Sequence, residues 1–335
     1  MSSSQSVNML QAINFALHDA MTEDSKVLVL GEDVGDDEGG GIIGVTRGLT
    51  RAFGPKRVRS TPIAEQAIVG AAIGSALCGY RPVAEIMLMN FTTVAMDMIV
   101  NHAAKLRFMS GGQTSVPITI RTMTGAGMSN GGQHSDFLEG WFAHTAGLKV
   151  VIPSNAADAY GLLRSCIRDP DPCLFVETLP LYWVSGQTIE RGGSIPLGKA
   201  RIAQSGTDVT VASYGRQVND AVAVARRLSA EGISIEVLDM RTLSPLDTTA
   251  LIESARKTRR VIVAHEAVQR FGPGAEIAAV IHEALFDRLL APVRRVGAPF
   301  SPVPFSKPLE TAYLPGERQI ESAVREILKR SGKGA

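Results

Sequence analysis

Short apolar runs alternate with longer helical stretches along the whole chain. Residues 27–30, 83–87, 116–120, 149–152 and 173–176 read as strands, and 8–21, 62–78 and 91–108 as helices. A polar run over residues 185–196, with Gly186, Gly192 and Gly193, breaks the rhythm and reads as a linker. The alternation then resumes. Strands are expected at 208–212, 233–238, 261–264 and 293–296, and helices at 217–229, 247–257, 274–286 and 317–329. Strands separated by helices need crossover connections. The pattern therefore predicts an α/β chain of two doubly wound, largely parallel domains, 1–190 and 191–335.

Ligands of open α/β sheets sit at the carboxyl ends of strands. Two loops fall there: residues 31–35, and residues 124–135 with Gly125, Gly127, Gly131 and Gly132. Further along the chain, Thr61 reads as a helix N-cap, Pro62 as the first helical residue, and Glu65 as lying about one turn in. By itself, Glu65 reads as a carboxylate complementing the helix dipole. The ten residues 67–76 carry no charge, however, which is the mark of a buried helix. A carboxylate at its mouth is then partly desolvated, with raised proton affinity, and is a candidate acid or base. On the second loop, His134 reads equally as a turn histidine bonded to Asp136 or as an active-site proton donor. His18, His102, His144, His265 and His282 read as structural. Most apolar residues of 91–108 read as core, with Phe91 a candidate for lining a cofactor slot.

Composition narrows the class. Of 335 residues, 45% are apolar and 20% charged, enough apolar surface for a large core. Lys plus Arg is 34 and Asp plus Glu is 33, so neither nucleic acid nor anionic membrane is an expected partner. Cys78, Cys166 and Cys173 are too few and too far apart for a disulfide framework or a zinc knuckle. No apolar run is long enough to span a membrane, and residues 1–6 lack the basic and apolar parts of a signal peptide. A soluble, cytoplasmic protein is expected. The glycine loop misses the G-x-G-x-x-G spacing by one residue, and no P-loop is present.

Several segments, taken in order, carry a resemblance. They are Gly31-Glu32-Asp33-Val34, Thr61-Pro62-Ile63-Ala64-Glu65-Gln66, Met109-Ser110-Gly111-Gly112-Gln113, Gln133-His134-Ser135, Gly147-Leu148-Lys149-Val150-Val151 and Pro196-Leu197-Gly198-Lys199-Ala200. Asp239-Met240-Arg241-Thr242-Leu243-Ser244-Pro245-Leu246-Asp247 and Gly274-Ala275-Glu276-Ile277-Ala278 follow. Nearly the whole chain resembles the beta subunits of thiamine-diphosphate-dependent 2-oxo acid dehydrogenases, a family that includes pyruvate, branched-chain 2-oxo acid and acetoin dehydrogenases.

The resemblance implies a transketolase-like pyrimidine-binding domain, a transketolase C-terminal domain and an α2β2 heterotetramer. The alpha subunit would bring the diphosphate and magnesium site through a Gly-Asp-Gly motif, which this sequence lacks. Glu65 matches the glutamate that hydrogen-bonds the aminopyrimidine ring and shifts it to its imino form. Glu32 matches a second glutamate beside that ring, Phe91 an aromatic packed on it, and Met87 a lining residue. His134 matches a histidine near the substrate. A 2-oxo acid or acyloin would be cleaved and the acyl group passed to the lipoyl group of a dihydrolipoyl acyltransferase. A potassium ion is further implied, held by main-chain oxygens of Ile118, Cys166, Ile167, Asp169 and Asp171. Departures at Ala64, at 67–69, at 124–132 and in the acidic glycine-rich run 35–41 leave substrate and acceptor open between pyruvate and acetoin types. Competing readings are a thiamine-dependent carboligase without a lipoyl partner, a dinucleotide-dependent oxidoreductase and a non-catalytic assembly subunit.

Overall fold

The computed structural model describes residues 5–330. The first four residues of the segment read for a signal peptide lie outside them. One compact unit takes the chain up to Thr124 together with Trp141–Leu197; the other takes Gly125–Gly140 and the chain from Gly198 onward.

The first unit runs β1 (Gln5–Val7), α1 (Met9–Glu23), β2 (Val27–Gly31), β3 (Val58–Ser60), α2 (Glu65–Leu77), β4 (Arg81–Leu88), β5 (Thr119–Thr124), β6 (Lys149–Val151), α3 (Ala156–Arg168), β7 (Cys173–Thr178) and β8 (Gln187–Ile189). Six of its strands lie parallel in the order β6-β7-β5-β4-β2-β3. Every residue of β2, β5 and β7 is buried, as expected for parallel strands covered on both faces. Asn8 opens α1 with a capping box: its Oδ1 accepts the Gln11 amide at 2.9 Å, and Gln11 Oε1 accepts the Asn8 amide at 3.0 Å. Ile13, Ala16, Leu17 and Ala20 recur at helical spacing, are buried, and pack α1 against α3.

The second unit holds β9 (Arg201–Gln204), β10 (Val209–Ser213), α4 (Arg216–Ser229), β11 (Ile235–Asp239), α5 (Thr248–Thr258), β12 (Val261–Val268), α6 (Pro273–Leu285), β13 (Arg294–Ala298), α7 (Lys307–Tyr313) and α8 (Glu317–Arg330). Its sheet order is β13-β12-β10-β11-β9, parallel except for β9. Val218, Val224 and Leu228 of α4 share one apolar core with Ile320, Val324 and Ile327 of α8. The α/β class and the helix–strand alternation stand as read from the sequence.

Four expectations need correction. Residues 62–78 do not form one helix: α2 begins at Glu65, capped by Ala64 without a side-chain bond. The Thr61 amide is tied to Gly31 O at 2.9 Å, and a residue before proline avoids helical backbone, so 61–64 stay outside the helix. Residues 91–108 are not one α-helix but a tight turn (Met89–Thr93), a wide π turn (Met98–Ala103) and a short α-helix (Leu106–Met109). There the Thr92 and Thr93 hydroxyls bond the carbonyls of Met89 and Asn90, three residues back, and tighten the backbone. The strand expected from Val116 starts at Thr119, because Pro117 cannot donate to the ladder. The linker 185–196 contains β8, which pairs antiparallel with β1.

One charged side chain lies in the middle of the first sheet. Arg121 is 1% exposed on β5; its Nη1 donates to Glu85 at 2.6 Å, and its Nε and Nη2 clasp Glu177 at 2.7 and 2.9 Å. Removing one member of such a set strands the others in low dielectric. We expect Arg121→Leu to lower unfolding free energy by about 3–5 kcal/mol. Denaturant unfolding of the chain checks this; an unchanged midpoint would show the carboxylates to be satisfied without the guanidinium.

Candidate active site

The carboxyl end of β2 sets the geometry. Gly31 lies in register between Ser60 of β3 and Glu85 of β4. A Cβ at residue 31 would come within 2.8 Å of Glu85 O, so this close strand approach requires glycine. The chain then turns through Asp33, whose φ of 54° is left-handed, and presents Glu32. Because Thr61 is bonded to Gly31, the head of α2 is drawn to the same place.

Glu32, Glu65 and Glu85 are thereby gathered, at 6%, 8% and 7% exposure. Burial pushes the Glu32 carboxyl above the usual carboxylate range; nearby Glu65, Asp33 and Glu85 push it further, against a smaller opposing pull from the Ala64 amide. Its Oε1 is buried without a hydrogen-bond partner among the described residues, as is Thr61 Oγ1. Glu85 differs, since Arg121 answers its charge. Burial disfavours the Arg121 cation, but Glu177 and Glu85 outweigh this and hold it protonated. Tyr182 donates its hydroxyl to Glu177, and burial raises the proton affinity of both.

Met87 and Phe91 are half-buried and pack on the apolar core of this unit. Phe91 lies in the turn directly after β4, and Met87 lines a narrow cavity with Gly41, Ile43, Glu85 and Arg121. The acidic run 35–41 serves local structure. Asp36 Oδ2 accepts the Arg51 amide at 2.8 Å, and Glu38 accepts from Ser60. The structure thus groups Glu32 and Glu65, with Met87 and Phe91 at the end of the adjacent strand.

His134 belongs to the second unit, in a turn where its amide donates to Gly131 O at 3.2 Å. The glycine loop before it is already engaged. Ala126 N donates to Glu266 at 2.7 Å, and Gly127 N and Ser129 N donate to Glu310 at 2.7 and 3.0 Å. Amides spent on carboxylates of the chain itself cannot cradle a phosphate, which removes the dinucleotide reading. His265 is fully buried, its Nδ1 faces Ala267 O at 3.1 Å, and burial pulls its pKa down to about 4.

The main-chain oxygens assigned to potassium surround the end of α3. Ile118 O accepts the Cys173 amide at 3.0 Å and Cys166 O the Asp169 amide at 3.1 Å. Asp171 O accepts the Cys173 thiol at 3.6 Å. Arg81 Nη1 donates to Ile167 O at 3.1 Å and Asp169 O at 3.3 Å. A carbonyl has two lone pairs, so one donor at each oxygen still admits a weakly polarising cation. Among the described residues no cluster of His, Cys, Asp or Glu is suited to a metal, no disulfide forms, and no helix is long and apolar enough to cross a membrane.

Comparison with known proteins fits this geometry. The family described as transketolase, pyrimidine binding domain, matches residues 5–183, and that described as transketolase, C-terminal domain, matches 198–320. The chain is 46% identical to the acetoin:2,6-dichlorophenolindophenol oxidoreductase beta subunit of Bacillus subtilis over 96% of its length and 97% of the relative's. The chain belongs to the beta subunits of the thiamine-diphosphate-dependent 2-oxo acid and acetoin dehydrogenases. It is 42% identical to the pyruvate dehydrogenase E1 component beta subunit of the same organism, covering 96% and 99% of the two chains. Identity to the 3-methyl-2-oxobutanoate dehydrogenase beta subunit of Mycobacterium tuberculosis is also 42%, over 97% and 93%. A split-gene transketolase solved as an "inactive beta4 tetramer" superposes at a TM-score of 0.79 with 24% identity, covering 98% of this chain and 100% of that one, and shows the shared fold.

Sequence reasoning missed Glu85, Arg121, Glu177 and Tyr182. A charged residue inside each of the apolar runs Ala84-Glu85-Ile86 and Ile120-Arg121-Thr122 was the available signal. For a family member, the raised proton affinity of Glu32 has a sign that can be checked. Its stabilising contribution is complete below the unfolded carboxyl pKa and is lost as pH rises through the folded one. Without thiamine diphosphate, Glu32→Gln should melt above the wild type at pH 8, with the gap closing below about pH 4. A gap that widened on acidification would mean that Glu32 is instead held ionised.

Proposed function

We propose that this chain activates thiamine diphosphate for cleavage of the bond beside a 2-oxo or acyloin carbon, in an α2β2 assembly with an alpha subunit. Support comes first from the buried, unpartnered Glu32 Oε1 beside Glu65 at the head of α2. An aminopyrimidine edge offers one ring acceptor and one amino donor. Two buried carboxyls that disfavour double ionisation fit it, one donating a proton and one accepting. The donor set therefore suits the group.

When bound, thiamine diphosphate supplies the nucleophilic carbon and the electron sink. Glu65 would hydrogen-bond the ring nitrogen, and Glu32, whose carboxyl burial pushes above the usual range, would lie beside the ring. Met87 and Phe91 hold the ring by apolar contact and exclude water. His134 holds a proton for the substrate oxygen and meets the incoming acceptor, read as the lipoyl group of a dihydrolipoyl acyltransferase. The alpha subunit brings the diphosphate and magnesium site. Main-chain oxygens of Ile118, Cys166, Ile167, Asp169 and Asp171 would hold potassium.

Glu65→Gln tests the reading. Reconstituted with the alpha subunit, the variant should assemble normally and lose about 100-fold or more of its turnover, the usual range for a lost proton-transfer group. Full turnover in an intact heterotetramer would discard the role. The potassium site is tested on the beta chain alone. Its melting temperature should be higher in potassium chloride than in tetramethylammonium chloride of equal concentration, since a cation that binds only the native state stabilises it. Identical curves would remove the ion.

A further inference from the structure

The loop that carries His134 is held by buried carboxylates. Gly125 and Gly127 have φ of 124° and 116°, and Ser129, a non-glycine, has φ of 59°. Positive φ at alternate positions turns neighbouring amides toward one side and makes a concavity that attracts an anion. The chain fills this concavity itself. Glu310, 0% exposed on α7, accepts the Gly127 amide at 2.7 Å and the Ser129 amide at 3.0 and 3.1 Å. The Ser129 hydroxyl adds a longer contact at 3.4 Å. Lys307, one turn before Glu310, donates to Gly127 O and lies 3.5 Å from the Glu310 carboxylate. Glu266 takes the Ala126 amide at 2.7 Å, while Arg216 reaches Ala126 O at 3.4 Å.

Apolar contact completes the hold. Ala126 is buried with Ala298, Val303 and Tyr313. A Cβ at residue 131 would come within 3.1 Å of Phe305, so the loop lies flat on this surface. His134 is anchored at one end of the clamped stretch through its amide bond to Gly131. Burial by itself would raise the Glu310 carboxyl. The Gly127 and Ser129 amides and Lys307 overcome that and hold it below the usual carboxylate range. An ionised acceptor of several amides is about twice as strong as a neutral one.

We propose that Glu310 is a positioning residue: its ionised carboxylate fixes the 126–131 backbone and thereby sets the orientation of His134. The inference deepens the reading of His134 as the substrate-side group and rests on it. The test uses the reconstituted α2β2 enzyme with Glu310→Gln, which keeps the shape and one acceptor, and Lys307→Met, which leaves the carboxylate in place. Amide hydrogen exchange over residues 126–131 should speed up by about tenfold or more in the glutamine variant and less in the methionine variant. Turnover should fall with little change in KM, and Glu310→Asp should restore part of it. In a His134→Ala background, Glu310→Gln should change turnover within about twofold, because the two act through one group. Unchanged exchange protection, or a full multiplicative loss on the His134→Ala background, would overturn the proposal. If His134→Ala alone kept full turnover, the reading of His134 would fail. The clamp would then be judged by exchange protection alone, fast exchange sustaining its hold on the loop and unchanged exchange ending it.

Discussion

Negative charge held out of water at the carboxyl ends of β2 and β4 is the constraint on which the first unit depends. Glu32, Glu65 and Glu85 are each less than a tenth exposed, yet among the described residues only Glu85 is given a cation. Arg121 answers Glu85 and Glu177 from within the sheet, and Tyr182 supplies a further donor to Glu177. Two carboxyls are then left crowded at the head of α2. A fold shaped for stability alone would have paired or removed them, since an unpaired buried charge is among the most destabilising features a core can carry. Local unfavourable chemistry held in place by well-packed surroundings is the usual mark of a working site.

The position of that crowding follows from elementary features. Parallel strands direct their carboxyl ends to one edge, Gly31 allows β2 to approach β4, and the Thr61 bond to Gly31 draws in the head of α2. Ala64 gives α2 no side-chain cap, so the helix terminus remains open to a ligand or to Glu32. The rest of α2 is uncharged, and its Ile68, Val69, Ala72 and Ile73 are buried. Gln66, Ala67 and Ala71 are exposed in this chain, so the expectation of a helix buried all round holds for one face only.

Periodicity carried much of the fold because helices and buried strands differ in spacing, and α1, α4 and α8 lie where their apolar repeats put them. Failures came where a single residue overrode the pattern: Pro117 delaying β5, Thr92 and Thr93 tightening the segment after β4, the tied Thr61 postponing α2. Glu65 stood out because it lies beside an uncharged run at a helix end, whereas Glu32 was singled out only by the family resemblance. Arg121 was not, for its partners Glu85 and Glu177 are 36 and 56 residues away and no local rule links them. Glu310 lies 183 residues from Gly127, beyond the reach of any pattern of spacing.

Glu310 and Glu32 show how two buried carboxylates come to differ in proton affinity. Both are buried, at 0% and 6% exposure, and desolvation raises the proton affinity of each. Glu310 receives the Gly127 and Ser129 amides, the Ser129 hydroxyl and a lysine, so its affinity ends below the ordinary range. Glu32 has the Ala64 amide and three carboxylate neighbours, and ends above it. The difference is the supply of donors, not depth. A carboxylate whose donors come from the fold is held ionised; one left short of donors is held toward its protonated form. A glycine-rich loop in an α/β chain is therefore weak evidence for phosphate, because its amides are as well suited to a carboxylate of the same chain. The better guide to a site is the acid that the backbone has left unanswered.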